Sequence, residues 1–190
     1  MLILRKQVGV TLIELMIGIV IVSLLSVMAA PSFSSWIQNT QVRTAAESIL
    51  NGMQLARTEA VHRNANIRFS LAANDVSWTV ACVTVTTDCP ASALYQRSGA
   101  EAGGNARAGI ALATGNLATV LSAGTGLPAG VTFDGLGRAP AVNGLADIAR
   151  VDITHAISAS ARRMVILVSA GGQTRMCDPA FSAASSPQGC

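Results

Sequence analysis

The chain has 190 residues, a length that favours one folded domain. Hydrophobic residues make up 51% of it and aromatic residues only 4%, so valine, isoleucine, leucine and alanine must build most of the core. The net charge of +3 excludes recognition of nucleic acid by bulk charge, and a nucleic-acid site would need a local basic cluster.

The first predicted element is an apolar run over residues 10–30 that contains one charge, Glu14. A run of about 20 apolar residues is long enough for a membrane-spanning helix. A carboxylate inside such a helix costs roughly 2.5–3.5 kcal/mol on insertion scales. Glu14 therefore lies at the headgroup level near the end of the span, or it has a functional reason to be there.

The residues before this run have the opposite order to a secretory signal. Arg5 and Lys6 are followed by Gly9, so the small residue precedes the apolar stretch and does not follow it. Cleavage after Gly9 would remove only residues 1–9 and leave 11 basic against 10 acidic residues, a net charge of +1. The basic leader predicts a cytoplasmic N-terminus and an exported remainder.

This arrangement resembles the class III leader of type IV pilins and type II secretion pseudopilins. The resemblance implies that a prepilin peptidase cuts between Gly9 and Val10 and methylates the new amine of Val10. It also implies that Glu14 and Pro31 serve in filament assembly. The family usually has phenylalanine where this chain has Val10, a difference that bears on methylation more than on cleavage.

Later segments resemble the GspH/FimT family of minor pilins and pseudopilins more narrowly. The matching segments are residues 55–64, 131–138 and 175–179. The resemblance implies an α+β fold of the type IV pilin kind, with a long N-terminal helix packed on an antiparallel β-sheet. The expected parts are the cleaved leader 1–9, a transmembrane helix 10–30, the amphipathic half of the helix 31–64 and a β-rich head domain 65–190.

The residues from Trp36 to Asn64 have the pattern of an amphipathic helix, which Pro31 is expected to bend. Apolar side chains recur there at steps of three and four residues. They are Val42, Ala45, Ala46, Ile49, Met53, Ala56 and Ala60. The apolar face of the helix must therefore pack against another element, and we expect that element to be a β-sheet.

Strands are predicted at 67–71, 78–85, 131–133, 149–153 and 164–169, and turns such as Gly135-Leu136-Gly137 separate them. Eight of the 17 glycines lie between Gly99 and Gly130. Their density predicts a flexible insertion, a set of weak edge strands or a loop that faces a partner.

The four cysteines are expected to form two local disulfides, Cys82 with Cys89 and Cys177 with Cys190, because the head domain is exported. Zinc binding is the alternative. It is disfavoured because the spacings fit no common zinc finger and neither histidine lies near a cysteine in the sequence.

No motif for a catalytic nucleophile, a metal-dependent protease or a phosphate loop is present, so we expect no enzymatic activity, no cofactor and no metal. His62 and His155 fit solvated surface positions. The remaining candidate is basic, since a hairpin after Met164 would bring Arg162, Arg163 and Arg175 near one end of the sheet.

Members of the FimT branch implicated in DNA uptake carry a Gly-Arg-x-Arg motif at this C-terminal turn. Here Gln173 replaces the first arginine of residues 172–175. Because one phosphate contact is lost, the resemblance implies at most weak, non-specific DNA binding.

These features predict a minor pilin of a type IV pilus, a structural subunit that helps to initiate or cap the filament. The alternatives are a minor pseudopilin of a type II secretion system and a FimT-like DNA-binding minor pilin of natural transformation. The implied partners are other pilins or pseudopilins, the prepilin peptidase and the inner-membrane assembly platform. The expected location is the bacterial inner membrane, crossed once, with a periplasmic head domain that becomes extracellular in a pilus.

Overall fold

The computed structural model describes residues 9–73, 75–102, 104–140 and 147–190, without the side chains of residues 28–30 and 102. The predicted leader therefore lies, except for Gly9, outside the described residues. The chain divides into two compact units, one that ends at Ile37 and one that comprises Gln38–Cys190.

Helix α1, Leu12–Arg63, begins in the first unit with Thr11 as its N-cap. The backbone N–H of Glu14 donates to the hydroxyl oxygen of Thr11 at 3.3 Å, which is the hydrogen bond of an N-cap threonine. No single helix of the described residues qualifies as a membrane span by length and apolar composition. The segments Leu12–Val27 and Pro31–Arg63 qualify together, as a bent pair.

In the second unit, the C-terminal half of α1 buries the face that the sequence pattern predicts. The seven apolar residues of that pattern are fully buried, namely Val42, Ala45, Ala46, Ile49, Met53, Ala56 and Ala60. The helix ends where Asn64 adopts a positive φ of 48°, and Ala65 N–H donates to the Ala60 carbonyl at 3.1 Å. A left-handed residue at this position is a common helix stop, and asparagine tolerates it better than most.

Eight strands follow the helix. They are β1 Ile67–Leu71, β2 Trp78–Cys82, β3 Tyr95–Arg97, β4 Ala106–Ala111, β5 Ala129–Phe133, β6 Arg150–His155, β7 Met164–Val168 and β8 Thr174–Cys177. They form two four-stranded antiparallel sheets with the orders β3-β2-β1-β5 and β4-β6-β7-β8. The α+β class is confirmed, but the expectation of one sheet is wrong.

The close approach of the helix to the first sheet requires Gly52. A Cβ atom at this position would lie 2.7 Å from the ring of Phe69 and 2.9 Å from that of Trp78. The indole N–H of Trp78 donates to the Ser48 hydroxyl at 3.0 Å, which satisfies the polar atom of this buried ring. Helix α1 is thus fixed against β1 and β2.

The predicted strand 78–85 is shorter in the structure, because β2 ends at Cys82, where the first disulfide loop begins. Strand β3 was not predicted, because its three residues lack the run of bulky apolar side chains that indicates a strand. Strand β4 is one of the edge strands that the glycine-rich segment was expected to form, and β8 is the second strand of the hairpin expected after Met164.

Candidate functional site

The residues on either side of the predicted cleavage point are exposed and precede the helix. Gly9 and Val10 are not helical, and Val10 is 71% exposed. Glu14 lies in the first turn of α1, four residues after Val10. The predicted cleavage and methylation site therefore lies directly before the turn that carries the carboxylate.

Glu14 is the only ionisable side chain between Val10 and Val27, a segment whose large apolar side chains are all exposed. Its carboxylate has no hydrogen-bond or ion-pair partner among the described residues. A charge on an apolar helix is costly wherever water is excluded, unless it is paired. This segment of the chain thus has one apolar surface and one polar group without a partner.

Both predicted disulfides are present in the structure. Cys82 pairs with Cys89 and Cys177 pairs with Cys190, and no described cysteine is free. The first closes a short loop after β2, and the second joins the end of β8 to the last residue of the chain. Since all four thiols are oxidised, none can serve as a zinc ligand.

The three arginines predicted to share one end of a sheet lie at opposite ends of the β7–β8 hairpin. Arg175 pairs with Leu167 near the end of β7, whereas Arg163 precedes its start. Four residue steps, or roughly 13 Å of strand, separate these positions. The expectation that the hairpin gathers the arginines is wrong, because the register sets them apart.

Each of these arginines also has an intramolecular partner. Arg162 pairs with Asp178 and lies 5.2 Å from the centre of the Phe181 ring. The guanidinium of Arg175 donates to the carbonyl of Gly189. Arg163 is 13% exposed and its guanidinium donates to a buried carboxylate, so it is the least accessible of the three. Weak DNA binding stays a prediction.

The carboxylate that Arg163 contacts is Asp152, which is fully buried. Arg150 is 2% exposed and donates to the same carboxylate through Nε at 2.7 Å and Nη2 at 2.8 Å. Arg150 and Asp152 stand two residues apart in β6 and therefore lie on one face of it. A spacing of two residues in a strand is the feature of the sequence that could have predicted this cluster, and it was not used.

The cluster holds residues 114–121, the 114–121 loop, through hydrogen bonds to the backbone of the loop. Arg150 donates to the carbonyl of Asn116 at 2.8 Å, and Asp152 accepts from Leu121 N–H at 3.0 Å. Arg163 donates to the Leu117 carbonyl at 2.5 Å. Buried charges thus hold this part of the glycine-rich segment, for which a flexible insertion, edge strands and a partner-facing loop were the expectations.

A second polar cluster joins the end of α1 to β3. Glu59 accepts from Arg63 at 2.7 Å and from the Tyr95 hydroxyl at 3.0 Å. The hydrogen bond from Arg63 lowers the pKa of Glu59 below its ordinary value of 4.5, although burial opposes the shift. The hydrogen bond to Glu59 raises the pKa of Tyr95 above 10.0.

The two histidines lie in different environments. His62 is exposed, as expected. His155 is half-buried, where it contacts the amide oxygen of Gln41 at 2.9 Å and accepts from Ser158 N–H at 3.1 Å, so it is not the solvated group that the sequence predicts. Within the described residues, no group of three or more His, Cys, Asp and Glu side chains could hold a metal ion.

Two family models match the sequence. The model described as type II transport protein GspH matches residues 45–172, and the prokaryotic N-terminal methylation motif matches residues 4–30. A comparison with curated proteins finds no match.

Two crystal structures of the type IV minor pilin FimU of Pseudomonas aeruginosa (strain PAO1) are similar to the chain, each at 17% sequence identity. In both comparisons the aligned region covers 78% of this chain. It covers 94% of the FimU chain in the first structure and 98% in the second, with TM-scores of 0.47 and 0.45. The family assignment rests on the sequence models. The chain belongs to the GspH family and carries the N-terminal methylation motif, and it is a membrane-anchored, prepilin-type minor pilin or pseudopilin.

Proposed function

We propose that the chain is a minor pilin of a type IV pilus and that it helps to initiate or cap the filament. The observation that carries the proposal is the unpaired carboxylate of Glu14 on the exposed apolar part of α1. In a filament the N-terminal helices pack together and exclude water, so this carboxylate needs a positive partner. The freed amine of Val10 on a neighbouring subunit supplies it.

The same proposal assigns the processing steps. A prepilin peptidase cuts between Gly9 and Val10 and methylates Val10, and the exposed, non-helical position of both residues suits such a reaction. The basic residues Arg5 and Lys6 keep the N-terminus cytoplasmic before cleavage. The head domain then faces the periplasm, the helix engages the inner-membrane assembly platform, and the chain acts as a structural subunit without catalysis.

The test replaces the carboxylate without changing its size. We expect Glu14→Gln to be inserted and cleaved normally but to be depleted from sheared filaments at least about tenfold, because a paired buried charge is lost. Glu47→Gln is the matched control, since Glu47 is an exposed residue of the same helix and pairs only with Arg43. Glu14→Gln at wild-type levels in sheared filaments would contradict the proposal.

The second candidate function is that of a minor pseudopilin of a type II secretion system. The matched family model is named for type II transport, which favours this candidate. Deletion of the gene separates the two machines, because a pilin mutant loses surface pili and a pseudopilin mutant retains secreted proteins in the periplasm. The Glu14 argument applies to both filaments.

A further inference from the structure

Three large apolar side chains form an exposed stripe on helix α1 shortly after Pro31. They are Phe33, Trp36 and Ile37. Trp36 and Ile37 follow Phe33 by three and four residues, so all three lie on one face of the helix. Phe33 and Trp36 are each 62% exposed, and their rings stack with centroids 5.9 Å apart. These three residues are called the 33–37 stripe below.

Exposed aromatic rings of this kind are rare in the chain. It has two tryptophans, one tyrosine and four phenylalanines, and Phe33 and Trp36 are more exposed than any of the others. The second tryptophan, Trp78, is only 6% exposed. A tryptophan outside the core presents a large apolar surface together with an N–H donor, a combination that suits the boundary between hydrocarbon and water.

The stripe lies just beyond the apolar run of residues 10–30. A helix of these 21 residues is at most about 31 Å long, which matches the roughly 30 Å of the hydrocarbon core of a bilayer. Phe33 and Trp36 come three and six residues after the run, so they lie at most about 4.5 and 9 Å beyond it. The headgroup layer on each side of the hydrocarbon is roughly 5–8 Å thick. The two rings therefore fall at the level of the lipid headgroups.

The residues around the stripe carry no charge. After Glu14 the next charged residue along the chain is Arg43. Ser35 lies on the helix face opposite the stripe, and its hydroxyl donates to the Pro31 carbonyl at 3.2 Å. A serine hydroxyl that returns to the carbonyl one turn earlier is satisfied without water. No charge has to be desolvated when this segment enters the headgroup layer.

We propose that the 33–37 stripe is an interfacial anchor that docks into the lipid headgroup layer, at the end of the apolar run that leads to the head domain. The proposal rests on the membrane anchoring of the family, with residues 10–30 as the spanning segment. It is independent of the role of Glu14 and of the machine to which the filament belongs. The first compact unit ends at Ile37, so the anchor fixes the depth at which the chain leaves the lipid just before the head begins.

The test measures the depth of Trp36 in the full chain, reconstituted into phosphatidylcholine vesicles. Trp78→Phe leaves Trp36 as the only tryptophan. Separate vesicles contain lipids brominated either near the headgroup or near the end of the acyl chains, and bromine quenches indole fluorescence only at short range. We expect the label near the headgroup to quench at least about twofold more strongly than the label near the chain end, because the indole occupies the interface.

Two further tryptophan positions serve as matched reporters, each in a chain in which phenylalanine replaces Trp36 and Trp78. Val20→Trp lies in the middle of the apolar run and should be quenched more strongly by the label near the chain end. Phe33→Trp belongs to the stripe and should behave like Trp36. Trp36→Phe alone keeps only the buried Trp78, so neither lipid label should quench it.

Stronger quenching of Trp36 by the label near the chain end would overturn the proposal, because residue 36 would then lie inside the hydrocarbon. Quenching of Trp36 by iodide in the water alone, while Val20→Trp responds to the lipid labels, would also overturn it and assign the stripe to contacts between subunits. If neither reporter responded to the lipid labels, the anchor and the span would both be refuted, whereas the Glu14 proposal is tested separately in sheared filaments.

Discussion

At the scale of single residues, the most consequential side chain of the head domain is Asp152. It is fully buried and accepts hydrogen bonds from Arg150, Arg163 and the backbone of Leu121. Arginine side chains such as Arg150 and Arg163 are rarely so buried. The carboxylate that they share compensates their positive charges. The face of β6 that carries Arg150 and Asp152 is therefore held by charge.

We expect Asp152→Asn to lower the free energy of unfolding by about 3–5 kcal/mol, because it leaves two guanidinium groups without their compensating charge. Urea titration followed by circular dichroism measures the change. Glu47→Gln, which breaks an exposed pair with Arg43, should cost less than about 1 kcal/mol. Equal effects of the two substitutions would show that the buried cluster does not hold the loop.

Glu59 gives the head domain a dependence on acid. Its folded-state pKa is lowered, first by the hydrogen bond from Arg63, so its contribution is present above the ordinary value of 4.5 and is lost as the pH falls through the folded-state pKa. The free energy of unfolding of the wild type should thus fall more steeply below about pH 4.5 than that of Glu59→Gln. Identical acid profiles from urea titrations would contradict this assignment.

At the scale of elements, the C-terminal tail depends on the second disulfide. Cys177 and Cys190 are 13 residues apart, and the tail between them pairs at Asp178 and Gly189. Arg162 and Arg175 also donate to this region, at Asp178 and Gly189. The tail therefore covers β8 through backbone pairs and one covalent bond.

We expect the Cys177→Ser, Cys190→Ser double variant to loosen the tail before it affects the sheets. The loss should amount to about 3 kcal/mol by the loop-entropy estimate. Hydrogen exchange should quicken at the amides of Asp178 and Gly189 and stay slow in β1. The corresponding double variant of Cys82 and Cys89 is the control, and it should leave the exchange of Asp178 unchanged.

At the scale of the whole molecule, the chain combines an N-terminal segment with exposed apolar side chains and a head domain with a packed core. The first has the cleavage motif and Glu14, whereas the second has two sheets and two disulfides. Membrane anchoring and interaction with other pilin subunits are properties of the family. Initiation or capping of the filament is the role proposed for this chain.

Processing of the whole chain is expected to fail when the small residue before the cut is enlarged. Gly9→Val should leave the precursor uncut, because a branched side chain then occupies the position that the peptidase requires to be small. Gel electrophoresis would show a slightly heavier band. Gly18→Val is the control within the same apolar segment, where a Cβ atom meets nothing within 4 Å, and its cleavage should be normal. Normal cleavage of Gly9→Val would place the processing site elsewhere.

Features that depend on local sequence patterns could be predicted from the amino-acid sequence. The step of three and four residues from Val42 to Ala60 identified the buried face of α1, and Asn64 marked its end. Short separations between cysteines favoured local pairing, because nearby residues need little loop closure. The order of Gly9, the apolar run and Glu14 is the pattern of the N-terminal methylation motif.

Contacts between segments that are distant in the sequence could not be predicted and are visible only in the folded chain. The strand register separates Arg163 from Arg175. The 114–121 loop accepts hydrogen bonds from Arg150, which with Asp152 forms a buried cluster. The hydrogen bond between Gln41 and His155 likewise joins residues 114 positions apart in the sequence. These contacts depend on sheet pairing and long-range packing, and periodicity along the chain does not encode which segments pair, because it records only which face of an element is apolar.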